Sequence, residues 1–452
     1  ETVVMEAPFD PVMLSRLQFA FTAMFHIIWP VLTIGLSLYL VLVEALWLRT
    51  KNDGYYRQAR FWSKLFILNF AVGVVSGIPM EFQFGTNWSV FSRAGGDIFG
   101  HLLGFEATMA FMLEAAFLGV MVWGWKRVSP GMHLFATAMV AFGSSLSAFW
   151  IMSANAWMQT PAGGSFDKGR FVAASNFEPI FNSDMPWAVS HMWVACLEVT
   201  IFVVGGISAW YLLKNRRVDF FLRSFKIVVI AAIVITPLQI YLGDGSGRQV
   251  AKTQPTKLGA MEAHWNTNLP GKGASWNFLA WPNKAKQDND WAITIPNGLS
   301  LLLTRSLNGR VKGLRDFPIE DQPPIWLPFY SFRIMIGLGF LFFFLTVWTL
   351  WAWRKGRLKP GIISEQKKLL ISWMAALPMS YVAMEAGWVS REVGRQPWVI
   401  YGVLRTQEAA SPLPAYPVAS SLLIFAGIYG VLFLLFLLFA SYIVYRGPEA
   451  AE

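Results

Sequence analysis

The chain has 452 residues, enough for roughly two or three soluble domains, yet only 14% are charged where about 25% is usual for a soluble protein. Hydrophobic residues make 55% and aromatic residues 16%, leaving too little polar surface to cover a globule of this size in water. The formal net charge of +10 does not point to nucleic acid, because Lys and Arg lie in short clusters between apolar runs, as they do in membrane loops. A single Cys, Cys196, excludes a disulfide framework and a four-thiolate metal site, so any redox centre must be held by other donors.

A membrane-spanning helix needs about 20 mostly apolar residues. Nine such runs follow in order near residues 15–46, 61–80, 98–124, 133–157, 187–213, 220–242, 329–354, 367–390 and 418–445. Backbone polar groups must be satisfied internally in lipid, so the expected fold is an all-α integral membrane protein. The first run is long, starts at Arg16 after a short polar lead and carries His26, which makes it part of the fold rather than a cleavable targeting segment.

Basic residues gather after the odd-numbered helices: Arg49 to Lys64 after the first, Lys126 and Arg127 after the third, Lys214 to Lys226 after the fifth, Arg354 to Lys368 after the seventh. By the positive-inside rule these loops are cytoplasmic, which places the N-terminus outside and the C-terminus inside. Between the sixth and seventh helices lies a segment of about 85 residues, too long for a simple connection. Its Trp265, Trp276, Phe278, Trp281 and Trp291 offer apolar material to pack, so a folded extracytoplasmic cap is expected. The organisation is then helices one to six over 1–242, the cap over 243–328, and helices seven to nine over 329–452. No internal repeat is visible, which argues against an inverted-repeat transporter.

Of the five His, His101, His133 and His264 sit at helix ends or in the long loop and carry little information. His26 and His191 each lie in an apolar helix near its outer end, where an imidazole is as readily a hydrogen-bonded core residue as a metal ligand. Met335 opens the seventh helix at the same level as His191; plain packing describes most of the 18 Met, but a His and a Met meeting there can clamp a haem iron and raise its potential. Arg333, two residues earlier, suits a propionate.

Intramembrane carboxylates are costly and are functional hypotheses by default. Glu385 lies among small residues in the eighth helix. Glu106 and Glu114 of the third stand about 80° apart round a uniform helix and about 12 Å apart along it, two steps of a proton path. Ser144, Ser145 and Ser147 either continue that path or serve helix packing through small residues. Glu198 and Glu44 also lie in apolar runs, with Glu44 near enough to the cytoplasmic end to reach water.

These motifs together resemble subunit I of cytochrome bd-type quinol oxidases over nearly the whole chain. The resemblance is carried by SRLQFAFTAMFH (15–26), MEFQFGTNWS (80–89), GSSLSAFW (143–150), GDGSG (243–247), TKLGAMEAHW (256–265), FRIM (332–335), MEAGW (384–388) and GRQPW (394–398). It implies three haems, two of type b and one of type d, with type b as the alternative for the third. By matching position, His191 and Met335 are the axial ligands of the low-spin haem b, with Arg333 beside it. His26 and Glu385 match ligands of the two high-spin haems, and which serves which is left open. Arg395 is a candidate propionate contact. Glu106 matches a carboxylate near the high-spin pair, Glu114 and Ser147 the proton path, and Lys257 and Glu262 residues of quinol oxidation.

The resemblance further implies a terminal oxidase of the bacterial inner membrane that oxidises ubiquinol or menaquinol, reduces O2 to water and separates charge without pumping. It also implies a second large membrane subunit and a small single-helix subunit. The short cap is closest to the cyanide-insensitive branch. His101 and Glu198 depart from the pattern, standing where small or apolar residues are expected, and Tyr381 replaces a Trp one turn before Glu385. Two rival readings remain at this point: a haem subunit that passes electrons from quinol to a partner, and a haem-free proton-coupled transporter using Glu106, Glu114 and Glu198.

Overall fold

The computed structural model describes residues 10–175 and 177–449. The expected placement of the two chain ends falls on residues outside that range. Among the described residues, nine helices are long and apolar enough to cross a membrane. They are α1 (Pro11–Thr50), α2 (Asp53–Thr86), α3 (Gly96–Trp123), α4 (Pro130–Gln159), α5 (Met185–Leu213), α6 (Val218–Thr253), α7 (Trp326–Arg354), α8 (Lys367–Val393) and α9 (Ala415–Arg446). Eight of the nine expected runs fall inside them, and the third, 98–124, overruns its helix by one residue.

Local chemistry sets several of the starts. The Asp10 carboxylate accepts from the Val12 amide at 3.0 Å, with Pro11 in the first turn of α1. Asn52 does the same for Gly54 at the head of α2, and Ser129 for Met132 at the head of α4, where Pro130 follows. Prolines inside α1, α2, α6 and α8 are tolerated because neighbouring helices re-satisfy the freed backbone groups.

Helix α5 is the hub of the bundle, packed against α1, α4, α6 and α8. The core there is aromatic: Phe202 meets Phe342 of α7 with ring centroids 4.4 Å apart and Trp373 of α8 at 5.2 Å. By contrast α9 is almost wholly exposed in the isolated chain, an apolar surface suited to lipid or another subunit.

Helix α3 is not uniform. Residues Glu106–Phe111 form a π-helical stretch between α-helical halves, so the expected 80° offset between Glu106 and Glu114, which assumes an even pitch, does not hold. Nor does α6 end near residue 242. It continues to Thr253 through the GDGSG motif, in which Gly243 admits the His191 ring and Gly245 the Trp187 ring.

Past α6, the short helix Pro255–Glu262 precedes an antiparallel hairpin of β1 (Trp276–Asn283) and β2 (Asp288–Ile295), in which Trp281 faces Trp291. Trp265, Ala280, Leu314 and Phe329 pack together beneath it, so the cap has a core of its own that includes the start of α7.

Candidate functional site

At the end of the bundle that carries the cap, buried ionisable groups form one network. Lys257 is 2% exposed and donates from Nζ to Gln159 Oε1 at 2.6 Å. Gln159 donates in turn to Glu392 Oε1 at 3.1 Å, and Asn155 to the same oxygen at 2.9 Å. Arg395 pairs with the other oxygen of Glu392, while Arg391 bridges Asn155 Oδ1 at 2.6 Å and Asp184 Oδ2 at 2.7 Å. Burial, then the guanidiniums of Arg391 and Arg395, hold the Lys257 ammonium well below the ordinary lysine range.

Arg395 keeps Nε and Nη1 buried and without a partner. Two donors of the guanidinium are thus left for a further acceptor, on the residue proposed from the sequence as a propionate contact.

Glu262 lies at the end of the short helix. It accepts from Arg333 Nη2 at 2.6 Å and from Trp276 Nε1 at 3.0 Å. Burial pushes its carboxyl above the usual range, and Arg333 opposes that rise. Arg333 also donates from Nη2 to the Asn277 carbonyl at 2.7 Å. The guanidinium expected to face a propionate is therefore engaged by Glu262 and the cap backbone, and Arg333 and Glu262, assigned separate roles in the sequence, are partners.

Below this layer stand the candidate ligands. His191 on α5 has a buried Nδ1 with no partner, and its Cε1 would lie 3.2 Å from a Cβ added at Gly243 of α6. Met335 on α7 places its sulfur 3.0 Å from where a Cβ at Gly387 of α8 would stand. Each glycine lets the candidate donor side chain pack against the backbone of the facing helix, where a Cβ would crowd it. Helix α6 packs on α5 and α7, and α8 does likewise, so His191 and Met335 belong to one four-helix group.

Glu385 on α8 has both carboxyl oxygens buried and unpartnered, an arrangement a folded chain avoids unless something else satisfies them. His26 on α1 bonds Ser76 Oγ through Nδ1 at 3.0 Å, which fixes the ring. Its Cε1 lies 2.9 Å from a Cβ position at Gly77.

Among the described residues no group of three or more His, Cys, Asp or Glu converges to hold a bare metal ion. Isolated donors, with buried atoms left unpartnered at His191 and Glu385, fit an iron whose remaining ligands come from a porphyrin.

The proton-path candidates meet on α4. Ser147 donates to Glu106 Oε1 at 2.8 Å, and Glu114 packs on Gly143, its Cγ 2.6 Å from a Cβ position there. Ser144 lies beside it with a buried hydroxyl that has no partner.

Further towards the opposite end, Glu44 does not reach water. It is 1% exposed, accepts from His133 Nδ1 at 2.9 Å and from Thr137 at 3.0 Å, and so gives His133 a role the sequence did not reveal. The two are 89 residues apart, so no local pattern signals the pair. The Lys257 network was equally hidden: Asp184, Arg391 and Glu392 look like ordinary helix-end charges in the sequence. His101 simply caps locally, Nδ1 lying 2.5 Å from the Asp97 carbonyl.

Comparison with known proteins accounts for this inventory. Residues 14–448 match the family described as cytochrome bd terminal oxidase subunit I. The chain belongs to that family. Similar curated proteins include cytochrome bd-II ubiquinol oxidase subunit 1 of Escherichia coli (strain K12), 35% identical with 98% of each chain covered. Cytochrome bd ubiquinol oxidase subunit 1 of Bacillus subtilis (strain 168) is 34% identical, covering 93% of this chain and 90% of the relative. Among solved structures, the bd oxidase from Geobacillus thermodenitrificans superposes with a TM-score of 0.89 at 30% identity, over 97% of this chain and 99% of that one. Membership of the cytochrome bd subunit I family favours the haem-ligand reading of the unpartnered donors over the haem-free transporter.

Proposed function

We propose that this chain is the quinol-oxidising, oxygen-reducing subunit of a terminal oxidase that builds a proton gradient by charge separation without pumping. The observation that carries the reading is the stacking, in one molecule, of a buried ionisable network around Lys257 and Glu262 directly above unpartnered donor atoms at His191 and Glu385. The ubiquinol oxidases among its relatives support the same assignment.

His191 and Met335 would hold a low-spin haem b, and His26 and Glu385 two high-spin haems, one of type b and one of type d or b. Arg395 would meet a propionate. When bound, these groups supply one-electron relay and the site of oxygen reduction.

The chain's own residues then divide the proton work. Quinol loses protons as it loses electrons, and Glu262, its carboxyl raised by burial, is placed to accept one. Lys257, held well below its ordinary range, is poised to release its proton, and Gln159 fixes its amine in line with Glu392. Glu114, Ser144, Ser147 and Glu106 line α4 and deliver protons from the basic-loop side, which the charge asymmetry makes cytoplasmic. Protons released outside and consumed from inside separate charge worth about 2.3 kcal/mol per charge per 100 mV.

The location is the bacterial inner membrane, with the cap and N-terminus outside and the C-terminus inside. The exposed face of α9 and its neighbours would meet a second large subunit, with a small single-helix subunit beside them. The quinol is ubiquinol or menaquinol.

Oxygen uptake by the purified haem-loaded complex, driven by a quinol, tests the reading. Uptake with one O2 consumed per two quinols is expected. Quinol oxidation that needs an added electron acceptor and consumes no O2 would assign the chain to electron transfer instead.

A further inference from the structure

Glu198 is used by nothing described above. It lies in the middle of α5, 6% exposed, with Oε1 buried and lacking any hydrogen-bond partner, and no ion pair among the described residues includes it. An ionisable carboxyl in that position needs a reason.

Its place on the helix supplies one. At 3.6 residues per turn, positions 191, 195, 198 and 202 form one stripe, so Glu198 lies on the face of His191, about 10 Å along the axis towards the opposite end. Phe202 closes the same stripe below, packed on Phe342 of α7 and Trp373 of α8. Helix α7 carries Met335 two turns above Phe342. Glu198 therefore sits between the level of His191 and Met335 and an aromatic floor built from three helices.

Few other groups compete for this level. The ionisable side chains nearest to it on the surrounding elements are His26 and Tyr39 of α1, Tyr241 of α6, Arg333 of α7, and Tyr381 and Glu385 of α8, with Cys196 on α5 itself. Helix α4 has none between His133 and its end. Arg333 is already engaged by Glu262. Two unit charges about 10 Å apart at an effective dielectric of about 20 shift each other's equilibria by roughly tenfold.

We propose that Glu198 is the proton-binding partner of the low-spin haem that His191 and Met335 would hold, its carboxylate taking up one proton to become a carboxylic acid when one electron from quinol reduces that haem. When the electron moves on, the proton is released and the carboxylate returns. The step balances as one electron and one proton in, and one of each out. It rests on the ligand assignment under Proposed function and extends it to a residue at which this chain departs from the family pattern.

The test is a redox titration of the low-spin haem in the intact haem-loaded complex at several pH values, for wild type, Glu198→Gln and Glu198→Asp. In wild type the one-electron equilibrium should shift up to tenfold per pH unit across the coupled window, about 59 mV. Glu198→Gln should flatten that dependence with the haem spectrum intact, and Glu198→Asp should retain it. A wild-type slope that survives in Glu198→Gln, or a flat wild type, overturns the proposal. Should Glu198→Gln lose the haem, reduced-minus-oxidised infrared spectra decide: a carboxylic acid band in wild type that shifts in Glu198→Asp upholds the proposal, and a band that does not move overturns it. A wild-type complex with no low-spin haem would defeat the ligand assignment itself, a distinct outcome.

Discussion

Arg333 Nη2 stands 2.6 Å from Glu262 Oε2, so a salt bridge 91–94% shielded from solvent ties the cap to α7 two residues before Met335. Glu262, the proposed quinol base, and Met335, the candidate haem ligand, are thus linked through one buried ion pair. Breaking such a buried pair by removing one member costs roughly 3–5 kcal/mol, because the other charge is left uncompensated.

The bridge also sets a pH dependence. Burial holds the Glu262 carboxyl above its ordinary range, and the cation opposes burial. In Arg333→Gln the opposition is gone, so Glu262 keeps its proton to higher pH. If its carboxylate is the base, the acid limb of the kcat/KM profile for quinol moves to higher pH. A pH-rate series on wild type and variant measures this, and an unmoved limb would remove Glu262 as the titrating base.

Met335→Leu keeps volume while deleting the sulfur beside Gly387. The low-spin haem spectrum should change and the high-spin signals persist. An unaltered low-spin band in the purified complex would strike Met335 from the ligand set.

Glu114→Gln preserves shape and packing on Gly143 but removes a titratable step. Oxygen consumption should fall by about 10-fold to 100-fold, the lower range for loss of a positioned proton-transfer group, with haem content unchanged. A wild-type rate would count against the path along α4.

Lys257→Ala removes an amine whose proton exchange is eased by burial and by Arg391 and Arg395. Quinol-driven turnover should drop more than turnover with an artificial electron donor. Equal losses with both donors would indicate damage to the fold rather than to donor oxidation.

His133→Leu removes one of the two side chains bonded to the buried Glu44 carboxyl, and stability should drop by about 1–3 kcal/mol, the cost of leaving a buried polar group under-satisfied. Pairing it with Glu44→Leu should restore part of the loss, since replacing both partners removes the under-satisfied group. Thermal unfolding in detergent compares the three proteins.

The spans were legible because length and apolarity are properties of contiguous residues. What the sequence hid is what depends on partners far along the chain. Arg333 and Glu262 are 71 residues apart, and nothing local shows that the guanidinium meets that carboxylate. Glu44 looked close to water because the run around it ends soon after, but α4 covers it with His133 and Thr137. The π-helical turn at Glu106 and the persistence of α6 through three glycines were misjudged for a related reason: both arise where tertiary neighbours override local preference. His26, His191, Met335 and Glu385 stood out as polar or sulfur-bearing side chains at suitable depths, yet the unpartnered atoms of His191 and Glu385, and the glycines packed on His26, His191 and Met335, became visible only in three dimensions.

Helix α6 has 36 residues, about 54 Å of continuous rod where a lipid core takes about 30 Å. It acts as a mast whose upper turns carry Pro255–Glu262 and whose middle abuts His191. In the proposed reading, the spacing between the quinol site and His191 is set by this rod together with Trp276 and the Asn277 carbonyl of β1, which hold Glu262 and Arg333. Chain inserted at the turn between Asn283 and Asp288 would lengthen the outer structure while leaving those contacts, and with them that spacing, untouched.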